Sequence, residues 1–182
     1  AVLNICKLRA KKDGRVLNVL KMPDQKTAQK MKSVDYLEWI VRSFSPKTKI
    51  LVLSEIFTGN GLLLPIQQIA TEARQRGIRT IIDAAHTPGF KFIDIENLGV
   101  DFYAGNLHKW WMGPKGTAFG WASPTAFANL EPIQGGWITF DLHEPFTQFA
   151  GGDEQAVRSL MNLSSTRSKH SFLKPNCLLT TC

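Results

Sequence analysis

The sequence predicts a layered α/β domain whose sheet is at least partly parallel. Three observations carry this expectation. Apolar runs of strand length recur along the chain, with Ile50-Leu51-Val52-Leu53 the clearest. Between two such runs lies a segment with helical apolar spacing, Pro65 to Gly77. Strand, helix and strand in that order make a crossover unit, whose two strands run parallel. The composition also suits one real core, because 182 residues with 43% hydrophobic and 20% charged side chains are ordinary globular material.

The elements follow in chain order. Val2 to Lys12 mixes apolar and basic residues in a helical pattern, and Asp13-Gly14 ends it. Val16 to Leu20 reads as a short strand, with Pro23 just beyond. Ser33 is a candidate cap for a helix that places Val34, Leu37, Ile40, Val41 and Phe44 on one face, stopped by Ser45-Pro46. Lys49 to Leu53 is a buried-strand pattern. Pro65 opens a helix with Ile66, Ile69, Ala70 and Ala73 on one side, and Gly77 sits where a helix cap is expected. Strands are expected at Ile78 to Ile82, Asp101 to Ala104 and Thr117 to Trp121. From about Glu154 Ser, Thr and Lys dominate, no apolar period is sustained, and Ser164 to Lys169 reads as loop or disordered. The expected organisation is therefore one domain over residues 1–153 and a divergent, flexible tail over 154–182.

Charge and cysteine usage narrow the function classes. The net charge is +7, with a basic cluster at Lys7, Arg9, Lys11, Lys12 and Arg15. Such a cluster can serve nucleic acid or an anionic surface. No helix-turn-helix, zinc-finger or RNA-binding aromatic signature accompanies it, so a solvated helix face is expected and no nucleic-acid partner. Cys6, Cys177 and Cys182 form neither a disulfide framework nor a metal-ligand spacing. A reducing, cytoplasmic setting and no bound metal are the expectations. No apolar run approaches the roughly 20 residues that span a bilayer, and Ala1 to Arg9 lacks the layout of a secretory signal.

The chemistry concentrates at two strand ends. Asp83 directly follows the strand at Ile78 to Ile82, where α/β sheets place functional groups, and small residues surround it. Alone it would read as a turn cap. Eighteen residues later another strand begins and runs into Asn106-Leu107-His108-Lys109-Trp110-Trp111-Met112-Gly113-Pro114-Lys115. A lysine among aromatic groups has its ammonium form disfavoured, which frees an amine for Schiff-base chemistry.

The run IIDAAHTPG (Ile81 to Gly89), followed by VDFYAGNLHKWWMGPKGTAFGW (Val100 to Trp121), resembles the cofactor region of the class V aminotransferase family. Within that family it is most similar to isopenicillin N epimerase-like proteins. LSEIFTGNGLLLPI (Leu53 to Ile66) resembles the segment that precedes them, and the resemblance extends over roughly residues 1–150. It implies the central part of a large domain that binds pyridoxal 5'-phosphate, in the fold type I architecture, with a mostly parallel sheet flanked by helices in three α/β/α layers. Carried over by position, it implies that Lys109 holds the cofactor and then moves the proton at the substrate's α carbon. Asp83 would keep the pyridine nitrogen protonated, and His86 would bond the ring's phenolic oxygen. Asn106 and His108 would contact the phosphate, and Thr58 would lie near the cofactor and the substrate carboxylate, although Phe57-Thr58-Gly59-Asn60 departs from the commoner pattern.

Other residues have blander expectations. Trp110 and Trp111 are expected to pack in a core or interface, Lys115 to be a solvated turn residue, and His143 and His170 to be structural. Gly151-Gly152 stands where relatives carry a Gly-Thr that reaches a neighbouring subunit's phosphate, so that hydroxyl contact is in doubt. No residue matches the group that stacks on the ring or the Arg that binds the substrate carboxylate. The resemblance thus leaves open whether this stretch alone is active. It implies a homodimer for the full-length protein and a small amino-acid-type substrate, with epimerisation as the leading reaction. Cysteine or cystine C–S lyase and cysteine desulfurase chemistry are the alternatives, and a non-catalytic fragment retaining the fold is the reading from another class.

Overall fold

The structure, a computed structural model, describes residues 2–129 and the backbone of 177–181. Two compact units divide between Ser45 and Pro46. Proline closes off helical continuation at this point, since it lacks an amide hydrogen and disfavours a helical residue before it.

The first unit contains α1 (Val2–Lys12), α2 (Gln25–Ala28) and α3 (Ser33–Val41). The first helix has the bounds read from the sequence and no buried residue. Its basic groups face solvent, and Arg9 pairs with Asp13 at 3.1 Å. The expected strand at Val16 to Leu20 does not form. Those residues carry no regular element and Val16 is 98% exposed. Strands are held by pairing, and a lone apolar run has nothing to pair with. In α3 the cap moves one residue earlier than expected. Asp35 reaches back to accept the Lys32 amide at 2.7 Å, so Ser33 is already helical. The face also differs: Tyr36 and Ile40 are buried, whereas Val34 is 54% exposed. Tyr36 earns its inward place by donating its hydroxyl to the Ala28 carbonyl at 2.8 Å, with its ring edge-on to Trp39.

The second unit is built on a sheet with strand order β1 (Ile50–Ser54), β2 (Arg79–Asp83), β3 (Phe102–Asn106), β4 (Thr117–Ala122) and β5 (Cys177–Thr181). The first three strands are parallel, β4 opposes β3, and β5 opposes β4. All strands but β4 therefore share one direction, and the sheet is mostly parallel as expected. The crossover helix α4 (Ile66–Gln75) packs on β2 and touches the short α5 (Ile95–Leu98), while α6 (Pro124–Phe127) follows β4. Ile66, Ile69, Ala70 and Ala73, the stripe read from the sequence, are all buried with Ile78, Ile82 and Tyr103. Each buried isoleucine contributes about 1.5–3 kcal/mol by leaving water. Gly77, at φ +66°, ends the helix in the left-handed conformation.

Asp101 locks the starts of β2 and β3. Its carboxylate accepts the Thr80 amide at 2.8 Å and the Thr80 hydroxyl at 3.1 Å, and its own amide donates back to that hydroxyl at 2.9 Å. β5 lies within the stretch for which the sequence predicts no element, in register from Trp121↔Cys177 to Thr117↔Thr181. The rest of that stretch lies outside the described residues, as do His143, Gly151, Gly152, His170 and Cys182. Among the described residues, no helix is long and apolar enough to cross a membrane and no cluster of metal-ligating side chains occurs.

Candidate active site

The site forms where β1, β2 and β3 end. In a parallel sheet, residues paired across strands point to the same face. Ser54 pairs with Asp83, and Asp83 with Ala104. Asn106, two residues on from Ala104, shares that face. Ala104 is exposed, and a side chain added at Gly120, which pairs with Ala104, would meet nothing within 4 Å. Small residues thus leave an open floor beside the Asp83 carboxylate. One oxygen of that carboxylate accepts the Ala85 amide at 3.0 Å, which turns the chain into the loop carrying His86.

Three of the residues singled out in the sequence converge. His86 Nε2 lies 3.2 Å from Lys109 Nζ and 3.1 Å from Thr58 Oγ1. Lys109 and His86 are half-buried and Thr58 is exposed. Asn106 and His108 form a second pair, with Asn106 Nδ2 3.3 Å from His108 Nε2. His108 Nδ1 lies 3.1 Å from the Thr117 carbonyl, an oxygen that can only accept. The proton of the neutral His108 ring is therefore on Nδ1, leaving Nε2 to accept from Asn106.

Close backbone approach holds the His86 and Lys109 loops together. At Gly89, φ +82°, a Cβ would fall 2.5 Å from the Trp110 carbonyl carbon and the Trp111 nitrogen. After Lys109 the chain folds back on itself, the Met112 amide donating to the Lys109 carbonyl at 3.0 Å and the Gly113 amide to the Leu107 carbonyl at 2.8 Å. Met112 takes φ +56° to do so, a conformation costly for a residue with a side chain.

Two residues join the site that the sequence reading did not assign to it. Trp110 donates its indole N–H to His86 Nδ1 at 3.3 Å. It is 56% exposed and Trp111 53% exposed, so neither packs in a core, one of the two places expected for them. A tryptophan packed on a loop tip can be wet on one face while its N–H is satisfied. Lys115 is exposed, as expected of a turn residue.

The other is Glu55, fully buried immediately after β1. Its amide donates to the Asp83 carbonyl at 2.9 Å. Its carboxylate accepts from Thr87 Oγ1 at 2.9 Å and from the Tyr103 hydroxyl, and pairs with Lys91 Nζ at 2.9 Å. Glu55 thereby anchors both sides of the His86 loop, Asp83 through its amide and Thr87 and Lys91 through its carboxylate. Burial first, then the adjacent Glu55 charge, push the Tyr103 phenol above its ordinary range, so it stays protonated and donates.

The donor set suits a flat heteroaromatic aldehyde with an anionic substituent. The Lys109 amine, the Asp83 carboxylate beside the open floor, and the imidazole and amide groups of His86, His108 and Asn106 are the groups that could hold one.

The family described as Aminotransferase class-V matches residues 1–148. Isopenicillin N epimerase of Streptomyces clavuligerus is 40% identical over 97 residues, 53% of this chain and 24% of that protein. Isopenicillin N epimerase of Amycolatopsis lactamdurans is 33% identical over 129 residues, 70% of this chain and 31% of that protein. A probable cysteine desulfurase of Xylella fastidiosa (strain 9a5c) is 37% identical over 92 residues, 50% of this chain and 22% of that protein. The chain thus spans a third or less of the length of these relatives. Among solved structures, the cystine C–S lyase C-DES in complex with cysteine persulfide aligns with TM-score 0.67 and 24% identity, covering 75% of this chain and 35% of that one. A variant of C-DES with glycine covalently linked to its PLP cofactor aligns with TM-score 0.60 and 23% identity over the same shares. These two likenesses bear on the fold, and the cofactor expected from the sequence agrees with the family. On the strength of the family match over residues 1–148, the chain belongs to the class V aminotransferase family.

Proposed function

We propose that the full-length protein is a pyridoxal-phosphate-dependent enzyme acting at the α carbon of an amino acid or amino-acid-derived substrate, with isopenicillin N epimerase-like chemistry. The observation that carries this reading is the meeting of Lys109 Nζ and His86 Nε2 at 3.2 Å beside the strand end that bears Asp83. When bound, the cofactor supplies a ring that accepts the electron pair left by bond breaking at the α carbon.

The chain's own residues do the rest. Lys109 would provide the amine that holds the cofactor, and would then move the proton at the substrate's α carbon. Asp83 would hold a proton on the ring nitrogen by its charge. His86 would donate Nε2–H to the ring's phenolic oxygen, and Thr58 would lie near the substrate carboxylate. Asn106 would offer its Nδ2–H to a phosphate oxygen, and His108 would do so when protonated on Nε2, the nitrogen that otherwise accepts from Asn106. Return of the proton on the opposite face of the α carbon gives epimerisation.

A second reading is elimination at the β carbon, as in a C–S lyase, or desulfuration. Its support is the likeness to a probable cysteine desulfurase. Release of sulfide from cysteine without epimerised product would favour it. Residues 1–153 are proposed as part of the large cofactor-binding domain, and the full-length protein as a cytoplasmic homodimer.

Borohydride reduction of the cofactor-treated chain followed by peptide mapping tests the reading. Label on Lys109, absent in Lys109→Ala, is expected. Label confined to another lysine would reject the assignment.

A further inference from the structure

We infer that Trp110 is a positioning residue that sets the tautomer of His86, and through it makes the site a hydrogen-bond donor toward an oxyanion. The inference concerns how the proposed cofactor's phenolic oxygen would be received, and it rests on that reading of the site. An indole N–H can only donate. Because it meets His86 Nδ1 at 3.3 Å, that nitrogen must carry its lone pair toward Trp110. The one proton of a neutral imidazole is then on Nε2. Nε2–H can then be accepted by Thr58 Oγ1 at 3.1 Å, and by Lys109 Nζ at 3.2 Å as the free amine, the form that Schiff-base chemistry requires.

The consequence is a matter of sign. With its proton on Nε2, His86 offers a hydrogen to any electron-rich oxygen placed between Thr58 and Lys109. The opposite tautomer would set a nitrogen lone pair against that oxygen's lone pairs and repel it. The indole is well placed to enforce the choice. Its ring packs against Phe90 with centroids 6.4 Å apart, and the Gly89 backbone touches the Trp110 peptide.

His108 provides a contrast within the same site. Its Nδ1 faces the Thr117 carbonyl at 3.1 Å, which requires the proton on Nδ1. The two histidines are thus held in opposite tautomers by an obligate donor in one case and an obligate acceptor in the other.

Two-bond proton–nitrogen correlation spectra of the ring nitrogens distinguish the two forms directly, with no cofactor added. They would be recorded on the 182-residue chain at about pH 9, well above the ordinary imidazole range, and assigned with His86→Gln and His108→Gln. The expected result is Nε2–H for His86 and Nδ1–H for His108. Trp110→Phe keeps an aromatic ring against Phe90 but removes the donor. It should lower the ratio of the His86 Nε2–H to Nδ1–H forms by about three- to tenfold, the weight of one ordinary hydrogen bond, and leave His108 unchanged. A wild-type His86 that is Nδ1–H or doubly protonated would overturn the inference. So would a His86 ratio unchanged within about twofold in Trp110→Phe, or an equal change at His108, which would mark a general loosening of the fold. Because the cofactor takes no part, failure here is separate from failure of the borohydride mapping at Lys109.

Discussion

Replacing Lys91 by methionine should destabilise the chain far more than a surface lysine substitution, because its partner has no access to water. The Glu55 side chain is 1% exposed, and Lys91 sits 2.9 Å from it with 35% of its own side chain exposed. Two neutral donors, Thr87 and Tyr103, would remain on the carboxylate, but no cation. Breaking a wholly buried ion pair on one side costs about 3–5 kcal/mol, and an exposed pair is worth about 0–1 kcal/mol. The partial exposure of Lys91 lets water screen the pair and places the expectation between, at about 2–3 kcal/mol. Glu55→Gln keeps an oxygen that can accept from Tyr103 and Thr87 while removing the charge. In the double variant Glu55→Gln with Lys91→Met neither charge is stranded, so it should be more stable than the sum of the single effects predicts, by at least about 1 kcal/mol. Urea denaturation of the four proteins, followed by tryptophan fluorescence and checked for constant slope, measures the cycle. A Lys91→Met effect within about 0.5 kcal/mol of zero, or a cycle additive within about 0.5 kcal/mol, would refute the assignment of Glu55 as a buried charge held by Lys91.

Gly89→Ala should cost about 2–4 kcal/mol in the same assay, since a Cβ there meets Trp110 backbone at 2.5 Å in a left-handed conformation; a neutral effect would mean the two loops are not in contact. Met112→Gly should stabilise by about 0.5–1 kcal/mol, because Met112 is 87% exposed and only its φ of +56° is strained; a loss of stability would show that its side chain packs. Tyr103 carries the pH dependence. Its folded-state value lies above the ordinary value of about 10, raised by burial and then by Glu55, so its contribution is whole below about pH 10 and drains away as pH climbs. Wild type should therefore lose stability above about pH 10 more steeply than Tyr103→Phe; parallel alkaline profiles would contradict this.

The parts of the fold legible in the sequence are those whose physics is local. Ile66, Ile69, Ala70 and Ala73 bury the face their spacing describes, and Gly77 takes the positive φ expected past a helix end. The strand end bearing Asp83 and the loop that carries Lys109 just past β3 are legible through the motif around them. What local pattern does not carry is pairing at a distance. Val16 to Leu20 has strand-like composition and no partner, whereas Cys177–Thr181 pairs with a strand more than fifty residues earlier in the chain. Glu55 looks in sequence like any solvated acid after a strand. Its role depends on Thr87, Lys91 and Tyr103, which lie 32, 36 and 48 residues away. Trp110 read as packing material because aromatic residues usually are, and its value as a donor to His86 exists only once two loops meet at Gly89.

A crystallographic map of the chain soaked with pyridoxal 5'-phosphate addresses the shared site most directly. Continuous density is predicted from Lys109 Nζ to the cofactor's aldehyde carbon, with the ring nitrogen about 2.7–3.0 Å from an Asp83 oxygen. A ring bound elsewhere, or one joined to Lys109 with its nitrogen turned away from Asp83, would contradict the joint assignment of these two residues.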